Sequence, residues 1–135
     1  MGFLSKIFGK KEQKGIQEIE LEMQKLKKKV DAEMIGIFGI GGRLKGLPLI
    51  YTSDDESNMK QISARLYEII EPLNKLAPER TLRDLIINYD NSTLYFKQIM
   101  KNIGYFAIFH DKSNLLTLKQ WIYKKEDFLK ELLHD

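Results

Sequence analysis

The spacing of the apolar residues constrains the fold more than any other feature, because it changes period along the chain. Near the start, five apolar residues recur in steps of three and four: Ile16, Ile19, Met23, Leu26 and Val30. This spacing predicts one helix with a single apolar face. From Met34 onward the pattern becomes short runs rich in β-branched and aromatic residues, which predict strands. The sequence therefore predicts a helix that includes Ile16 to Val30, followed from Met34 by strands of a sheet.

A glycine-rich segment, residues 36–46, follows the first strand-like residues and raises the question of a phosphate site. A nucleotide-hydrolase loop needs Lys followed by Ser or Thr after its last glycine, but Gly46 is followed by Leu47 and Pro48. The dinucleotide fingerprint needs a third glycine at the position of Leu44. We therefore predict a hairpin whose second strand begins near Pro48, where a missing N–H is tolerated.

A second helix is predicted to begin at "SDDE", with Ser53 as the N-cap and Glu56 completing a capping box. Pro72 should kink or loosen the last turn of this helix because it removes a backbone donor. The apolar stripe predicted on this helix consists of Met59, Ile62, Leu66, Ile69, Leu73 and Leu76.

Three strand-like runs follow in quick succession: "LRDLIINY", "STLYFKQIM" and "GYFAIFH". The turns between them contain Asp90-Asn91 and Lys101-Asn102, which suit tight reversals. An antiparallel meander is therefore predicted, and the last element, which starts at "DKSN", closes the chain as one helix or two short ones. The fold class is α+β, a five-stranded antiparallel sheet between helices in the order α-β-β-α-β-β-β-α.

The net charge of +3 belongs to the beginning of the chain. Residues 1–30 hold eight Lys and four Glu, while the rest holds 14 basic and 15 acidic side chains. A nearly neutral body argues against a nucleic-acid partner, which requires a basic face. The absence of cysteine excludes disulfides and thiolate zinc sites and favours a cytoplasmic location.

The first residues form a short amphipathic stretch when projected as a helix. Phe3, Leu4, Ile7 and Phe8 fall on one arc, and Lys6 and Lys10 fall opposite. We divide the chain into this basic tail, residues 1–13, and a domain, residues 14–135. These six residues are candidate contacts with an anionic membrane surface, so peripheral association with the inner face of a membrane is one expectation. A frayed terminus is the alternative.

No catalytic, cofactor or metal site is predicted. His110 ends a strand and His134 lies next to the last residue. Asp54, Asp55 and Glu56 are explained by a helix start, and Asp84 and Asp90 are about 20 Å apart on an extended strand. The four arginines, which include Arg43 and Arg65, are predicted to be solvated surface residues.

The order of elements, together with "GRLKGLPLIYTS" and "HDKSNLLTLKQWI", resembles the roadblock/dynein light-chain family. The shared features are a Gly-x-Pro entry into the second strand, Gly46-Leu47-Pro48, and an Asn-Leu step that opens the last helix, Asn114-Leu115. The hairpin departs from the pattern, since Gly41-Gly42-Arg43 stands where many members carry an acidic residue. The longin fold shares much of this strand order and is the nearest alternative.

The resemblance implies that two copies pair into one continuous sheet through the third strand and the central helix. This maps the dimer interface onto Leu85, Ile86, Ile87, Met59, Ile62 and Leu66. It also implies a non-catalytic homodimeric platform that binds and regulates a Ras-like small GTPase, with Lys60, Arg65 and Glu68 as the residues facing the GTPase. The alternative is a structural scaffold subunit of a motor or membrane-associated complex with no effect on nucleotide turnover.

Overall fold

The computed structural model describes residues 9–133. Within this range the predicted order α-β-β-α-β-β-β-α is confirmed, with two additional short 3-10 turns at Gly42–Leu44 and Lys112–Asn114. The elements are α1 (Lys10–Val30), β1 (Ala32–Gly39), β2 (Pro48–Ser53), α2 (Glu56–Leu76), β3 (Asp84–Asn88), β4 (Thr93–Met100), β5 (Ile103–Phe109) and α3 (Leu115–Leu132).

The five strands form one antiparallel sheet in the order β2-β1-β5-β4-β3. Strands β1 and β5 are neighbours in the sheet although about half of the chain lies between them, and Ile35 of β1 lies opposite Ala107 of β5. Both strands are almost wholly buried, as their continuous apolar sequences predict for strands covered on two faces. The edges of the sheet are β2 and β3.

Helices cover both faces of the sheet and divide the core in two. On one face, α1 and α3 pack against residues such as Ile35 and Tyr105. On the other face, α2 packs against a cluster that includes Phe38, Phe96 and Phe106. The Phe38 ring meets the other two edge to face, with centroid separations of 6.0 and 5.1 Å. The result is three layers, helices on each side of a sheet.

The glycine-rich segment forms the predicted hairpin between β1 and β2. Gly39 donates its N–H to the Leu47 carbonyl and accepts from Gly46 N–H, which closes the loop. A Cβ atom on Gly39 would lie 1.8 Å from the carbonyl oxygen of Leu44, so a side chain has no room there. Gly46 has φ of +76°, a backbone conformation that favours glycine. These glycines therefore shape a turn.

The predicted capping box at Ser53 is wrong. Ser53 pairs with Met34 as the last residue of β2, so its backbone stays extended and α2 begins only at Glu56. Asp55 is the N-cap, and its carboxylate accepts from Asn58 N–H at 3.2 Å. The Ser53 hydroxyl instead donates to the Asp55 carbonyl at 2.9 Å. The helix then runs through Pro72 to its end at Leu76.

Candidate interaction surfaces

The apolar residues of α2 form two stripes rather than the single stripe predicted. The buried stripe, which faces the sheet, consists of Met59, Ser63, Leu66 and Ile70. Ile69 and Leu76 belong to the predicted stripe, but 46% and 79% of their surfaces are exposed. The helix carries adjacent apolar residues in successive turns, and periodicity could not decide which of them point inward. Ile62, Ile69, Leu73 and Leu76 therefore form a second stripe, here called the α2 flank.

The α2 flank lies on the side of the helix away from the β1–β2 hairpin. Ala64 marks the hairpin side, because a Cβ atom on Gly46 would lie 3.4 Å from its Cα. At 100° per residue, Ile62 and Ile69 lie on the opposite side of the helix from Ala64. Ile62 is partly buried against the same cluster as Leu85 and Ile87 of β3. The α2 flank therefore faces the β3 half of the sheet.

Strand β3 presents an open backbone edge within the described chain. Tyr89 donates its N–H to the Ser92 carbonyl, and Gln98 donates its N–H to the Arg83 carbonyl. Because bonded and non-bonded pairs alternate in an antiparallel ladder, the odd-numbered residues of β3 bond to β4. The N–H and C=O groups of Asp84, Ile86 and Asn88 consequently point away from the sheet. This edge can accept another strand.

The residues predicted for a dimer interface occupy three different environments. Leu85 and Ile87 are partly buried against the α2 side of the sheet, as is Ile62. Ile86 points to the opposite face, and 41% of its surface is exposed. Met59 and Leu66 are 0% and 2% exposed and pack inside their own chain, so a second chain cannot contact them without opening the core. The surface available for pairing is β3 together with the α2 flank.

The three residues predicted to face a GTPase, Lys60, Arg65 and Glu68, are all exposed on α2. Their angular positions span the side of the helix opposite the buried stripe. Among residues 9–133, none of the ion pairs includes any of the three. They form a charged surface of mixed sign beside the apolar α2 flank. All four arginines, which include Arg43, are exposed, as predicted.

The carboxylates at the start of α2 have structural contacts. Asp54 forms an ion pair with Lys27 of α1, and Asp55 caps the helix. Glu56 accepts a hydrogen bond from the Tyr51 hydroxyl at 2.6 Å. Burial, followed by this bond to Glu56, raises the pKa of Tyr51 to about 12. These contacts join α1, β2 and α2.

The sequence predicts that His110 ends a strand, and in the structure it directly follows β5. His134 lies outside the described residues. The Nδ1 atom of His110 lies 3.2 Å from the Asn91 carbonyl. Within the described residues, no group of three or more His, Cys, Asp or Glu side chains could hold a metal ion.

The candidate membrane contacts fall mostly outside the described residues. Phe3, Leu4, Lys6, Ile7 and Phe8 all precede residue 9, where the described chain begins. Lys10 is exposed as the first residue of α1, so residues 10–13 of the predicted tail belong to that helix. Across residues 9–133, no helix is both long and apolar enough to cross a membrane.

The sheet order and the placement of its three helices define a roadblock/LC7-like domain. The fold is similar to that of MglB from Myxococcus xanthus, with a TM-score of 0.69 at 15% identity over 85% of this chain and 94% of that chain. An MglB with a tetrameric arrangement has a TM-score of 0.70 at 11% identity, over 93% of this chain and 91% of that chain. A Roadblock/LC7 domain from Streptomyces avermitilis has a TM-score of 0.61 at 9% identity, over 78% of this chain and 94% of that chain. No known family profile and no curated protein sequence matches the chain.

Proposed function

We propose that the protein is a non-catalytic homodimeric platform that binds and regulates a Ras-like small GTPase. The observation that carries this proposal is the open β3 edge beside the α2 flank, in a domain whose fold is roadblock/LC7-like. The resemblance to roadblock/dynein light-chain proteins implies both the dimer and the GTPase partner.

Pairing of the β3 strands of two copies provides hydrogen-bond partners for the N–H and C=O groups of Asp84, Ile86 and Asn88, which point away from the sheet of one chain. Antiparallel pairing centred on Ile86 places Asp84 of one copy opposite Asn88 of the other, so like charges do not meet. Such pairing also brings the two α2 flanks toward the same interface. Burial of Ile69, whose surface is 46% exposed in one chain, then adds apolar stabilisation.

The outward face of α2 supplies the proposed GTPase surface. A dimer presents Lys60, Arg65 and Glu68 twice, on neighbouring helices. Charged residues at the rim of an interface govern the association rate and the choice of partner more than the total affinity. These three side chains are therefore suited to selecting a partner while contributing little to the fold.

The partner can be identified by affinity capture from the native cytosol followed by mass spectrometry. GTP hydrolysis and nucleotide exchange by the captured GTPase are then measured with and without the protein. The triple variant Lys60→Glu, Arg65→Glu, Glu68→Lys should slow association with the GTPase by about tenfold, weaken binding accordingly and leave the melting temperature unchanged. Lys28→Glu is a matched control, because it lies on α1 and changes the net charge by the same two units as the triple variant. Full binding by the triple variant would place the GTPase elsewhere.

A structural scaffold subunit without effect on nucleotide turnover is the second candidate. The tetrameric arrangement of one structurally similar MglB favours larger assemblies for this fold. A captured GTPase whose hydrolysis and exchange rates do not change would support this candidate, as would capture of a complex that contains no GTPase.

A further inference from the structure

A cleft of about 390 Å³ lies between α3 and the β4 side of the sheet, on the face opposite α2. None of its lining residues belongs to the surfaces described above. The lining contains three lysines, two tyrosines and one glutamine, and no acidic residue: Tyr95, Lys97, Lys119, Gln120, Tyr123 and Lys124. Its volume is within the range typical of ligand sites in proteins.

Lysines line the cleft, and two carboxylates lie beside it, since Asp84 is the cross-strand neighbour of Lys97 and Glu126 pairs with the same lysine. The Nζ atom of Lys97 lies 3.7 Å from the Oε1 atom of Glu126. The same Oε1 atom lies 3.9 Å from the Nζ atom of Lys130. Among residues 9–133, no carboxylate forms an ion pair with Lys119 or Lys124. At least two ammonium groups therefore remain available to an anionic partner.

Two tyrosine rings form part of the wall of the cleft, between its lysines. Tyr95 is 2% exposed and belongs to the buried core, while Tyr123 is 78% exposed. The ammonium group of Lys119 lies 5.6 Å from the centroid of the Tyr95 ring, which is within cation–π distance. This contact holds a positive charge at the cleft.

The outer surface of α3 extends the cleft with apolar and polar contacts. Leu116, Gln120 and Tyr123 recur at helical spacing, and Leu116 is 63% exposed. Tyrosine is enriched at protein interfaces, and Leu116 adds apolar surface on the same helix face. A ligand here meets both charge and apolar surface.

We propose that this cleft binds an acidic peptide segment of a partner protein. Carboxylates of the peptide pair with Lys119 and Lys124, and an apolar or aromatic side chain packs against Tyr123. The N-terminal tail of a second copy is a poor occupant, because residues 1–13 hold three Lys and one Glu. A flat membrane surface also fits poorly, since the cleft is concave and Lys97, at 23% side-chain exposure, is recessed.

This surface is separate from the proposed GTPase surface, because the sheet lies between the cleft and α2. Occupation of one does not exclude occupation of the other. The proposal therefore adds a second binding activity, and it stands whether or not the protein regulates a GTPase.

The test is fluorescence anisotropy of a labelled peptide in which glutamates flank a central phenylalanine, titrated with the full-length protein. We expect saturable binding that weakens as salt is added. Lys119→Glu and Lys124→Glu should each weaken binding by about threefold to tenfold, as loss of an exposed ion pair and gain of a repulsion imply. Tyr123→Ala should also weaken binding, and Lys28→Glu, which lies outside the cleft, should not.

Thermal melting followed by circular dichroism verifies that each variant retains the fold. Because Lys119 is more buried than Lys124, Lys119→Gln provides a milder substitution at that position. Equal effects of Lys28→Glu and Lys124→Glu would overturn the proposal, because binding would then reflect net charge alone. A second arm uses phosphatidylserine vesicles. Failure to bind the peptide, combined with vesicle binding that Lys124→Glu abolishes, would also overturn it and assign the cleft to lipid headgroups.

Discussion

Ile69 and Ile70 are consecutive residues of α2 with opposite environments, since 46% of the Ile69 surface is exposed while Ile70 is completely buried. The difference arises because Ile70 continues the stripe that packs on the sheet, whereas Ile69 belongs to the α2 flank. We expect a second copy of the chain to cover the α2 flank and the open β3 edge together, because an unpaired strand edge can accept another strand.

The first prediction is that Ile86→Lys and Ile69→Lys each convert a dimer into a monomer. Both substitutions place a charge where the proposed interface removes water, and an unpaired buried charge is strongly unfavourable. Size-exclusion chromatography with light scattering measures the mass. Leu116→Lys is the control, because this residue is similarly exposed but lies on α3. An unmutated protein that remains at 15.8 kDa across micromolar concentrations would contradict the prediction.

The second prediction concerns Ser63, which is 0% exposed on the buried stripe of α2. Its hydroxyl oxygen has no hydrogen-bond partner within residues 9–133. Ser63→Ala removes this buried polar group and improves helix propensity, so the free energy of unfolding should rise by about 1 kcal/mol. Urea denaturation followed by circular dichroism measures the change. The exposed Ser57→Ala variant should stay within about 0.5 kcal/mol of the unmutated protein. A loss of stability in Ser63→Ala would mean that the hydroxyl is bonded.

The third prediction is a loss of stability at alkaline pH. Burial raises the pKa of Tyr105 above its ordinary value of 10.0, and burial followed by the nearby Asp84 and Glu126 raises the pKa of Tyr95 to about 12. Since the folded pKa values exceed the unfolded ones, the associated stability is complete below pH 10 and decreases as pH rises from 10 to 12. In that interval, each such tyrosine lowers the free energy of unfolding by about 1.4 kcal/mol per pH unit.

Thermal melts at successive pH values, with tyrosinate absorbance recorded in parallel, test this prediction. Tyr105→Phe removes one ionisable group from the core and should make the decrease in melting temperature less steep. Among residues 9–133, the Tyr105 hydroxyl forms a single hydrogen bond, a long one of 3.5 Å to the Leu118 carbonyl, so stability at neutral pH should fall by no more than about 1 kcal/mol. Tyr123→Phe, on an exposed residue, is the control. Identical slopes for all three proteins would refute the prediction.

The fourth prediction concerns residues 1–8, which precede the described chain. Deletion of these residues should abolish co-sedimentation with phosphatidylserine vesicles and leave the melting temperature unchanged, because α1 begins at Lys10. The apolar side chains of Phe3, Leu4, Ile7 and Phe8 supply the predicted insertion, and a dimer carries two such segments. Lys28→Gln is the control, since it removes one positive charge, as the deletion removes Lys6. Recovery of the full-length protein in the supernatant at low salt would show that the segment is no anchor.

Local patterns in the sequence were sufficient to predict the elements and their order. The stripe from Ile16 to Val30 forms the single buried face of α1, as its spacing predicts. The glycine-rich hairpin was also predictable, since neither phosphate-binding pattern is present. The start of α2 was not, because the pairing of Ser53 with Met34 joins residues far apart in sequence and extends β2 into the expected cap.

The surfaces were less predictable than the elements. Two adjacent apolar residues such as Ile69 and Ile70 satisfy the same helical period, and only packing against Phe38 and its neighbours decides which is buried. The cleft between α3 and β4 combines Tyr95 and Lys97 of β4 with residues of α3 that are more than twenty positions later in the sequence. Sequence alone therefore determined the helices, the strands and their order, because these depend on local periodicity and turn residues. Tertiary structure alone decided which side chains face each other and which remain exposed, because those depend on contacts between distant segments.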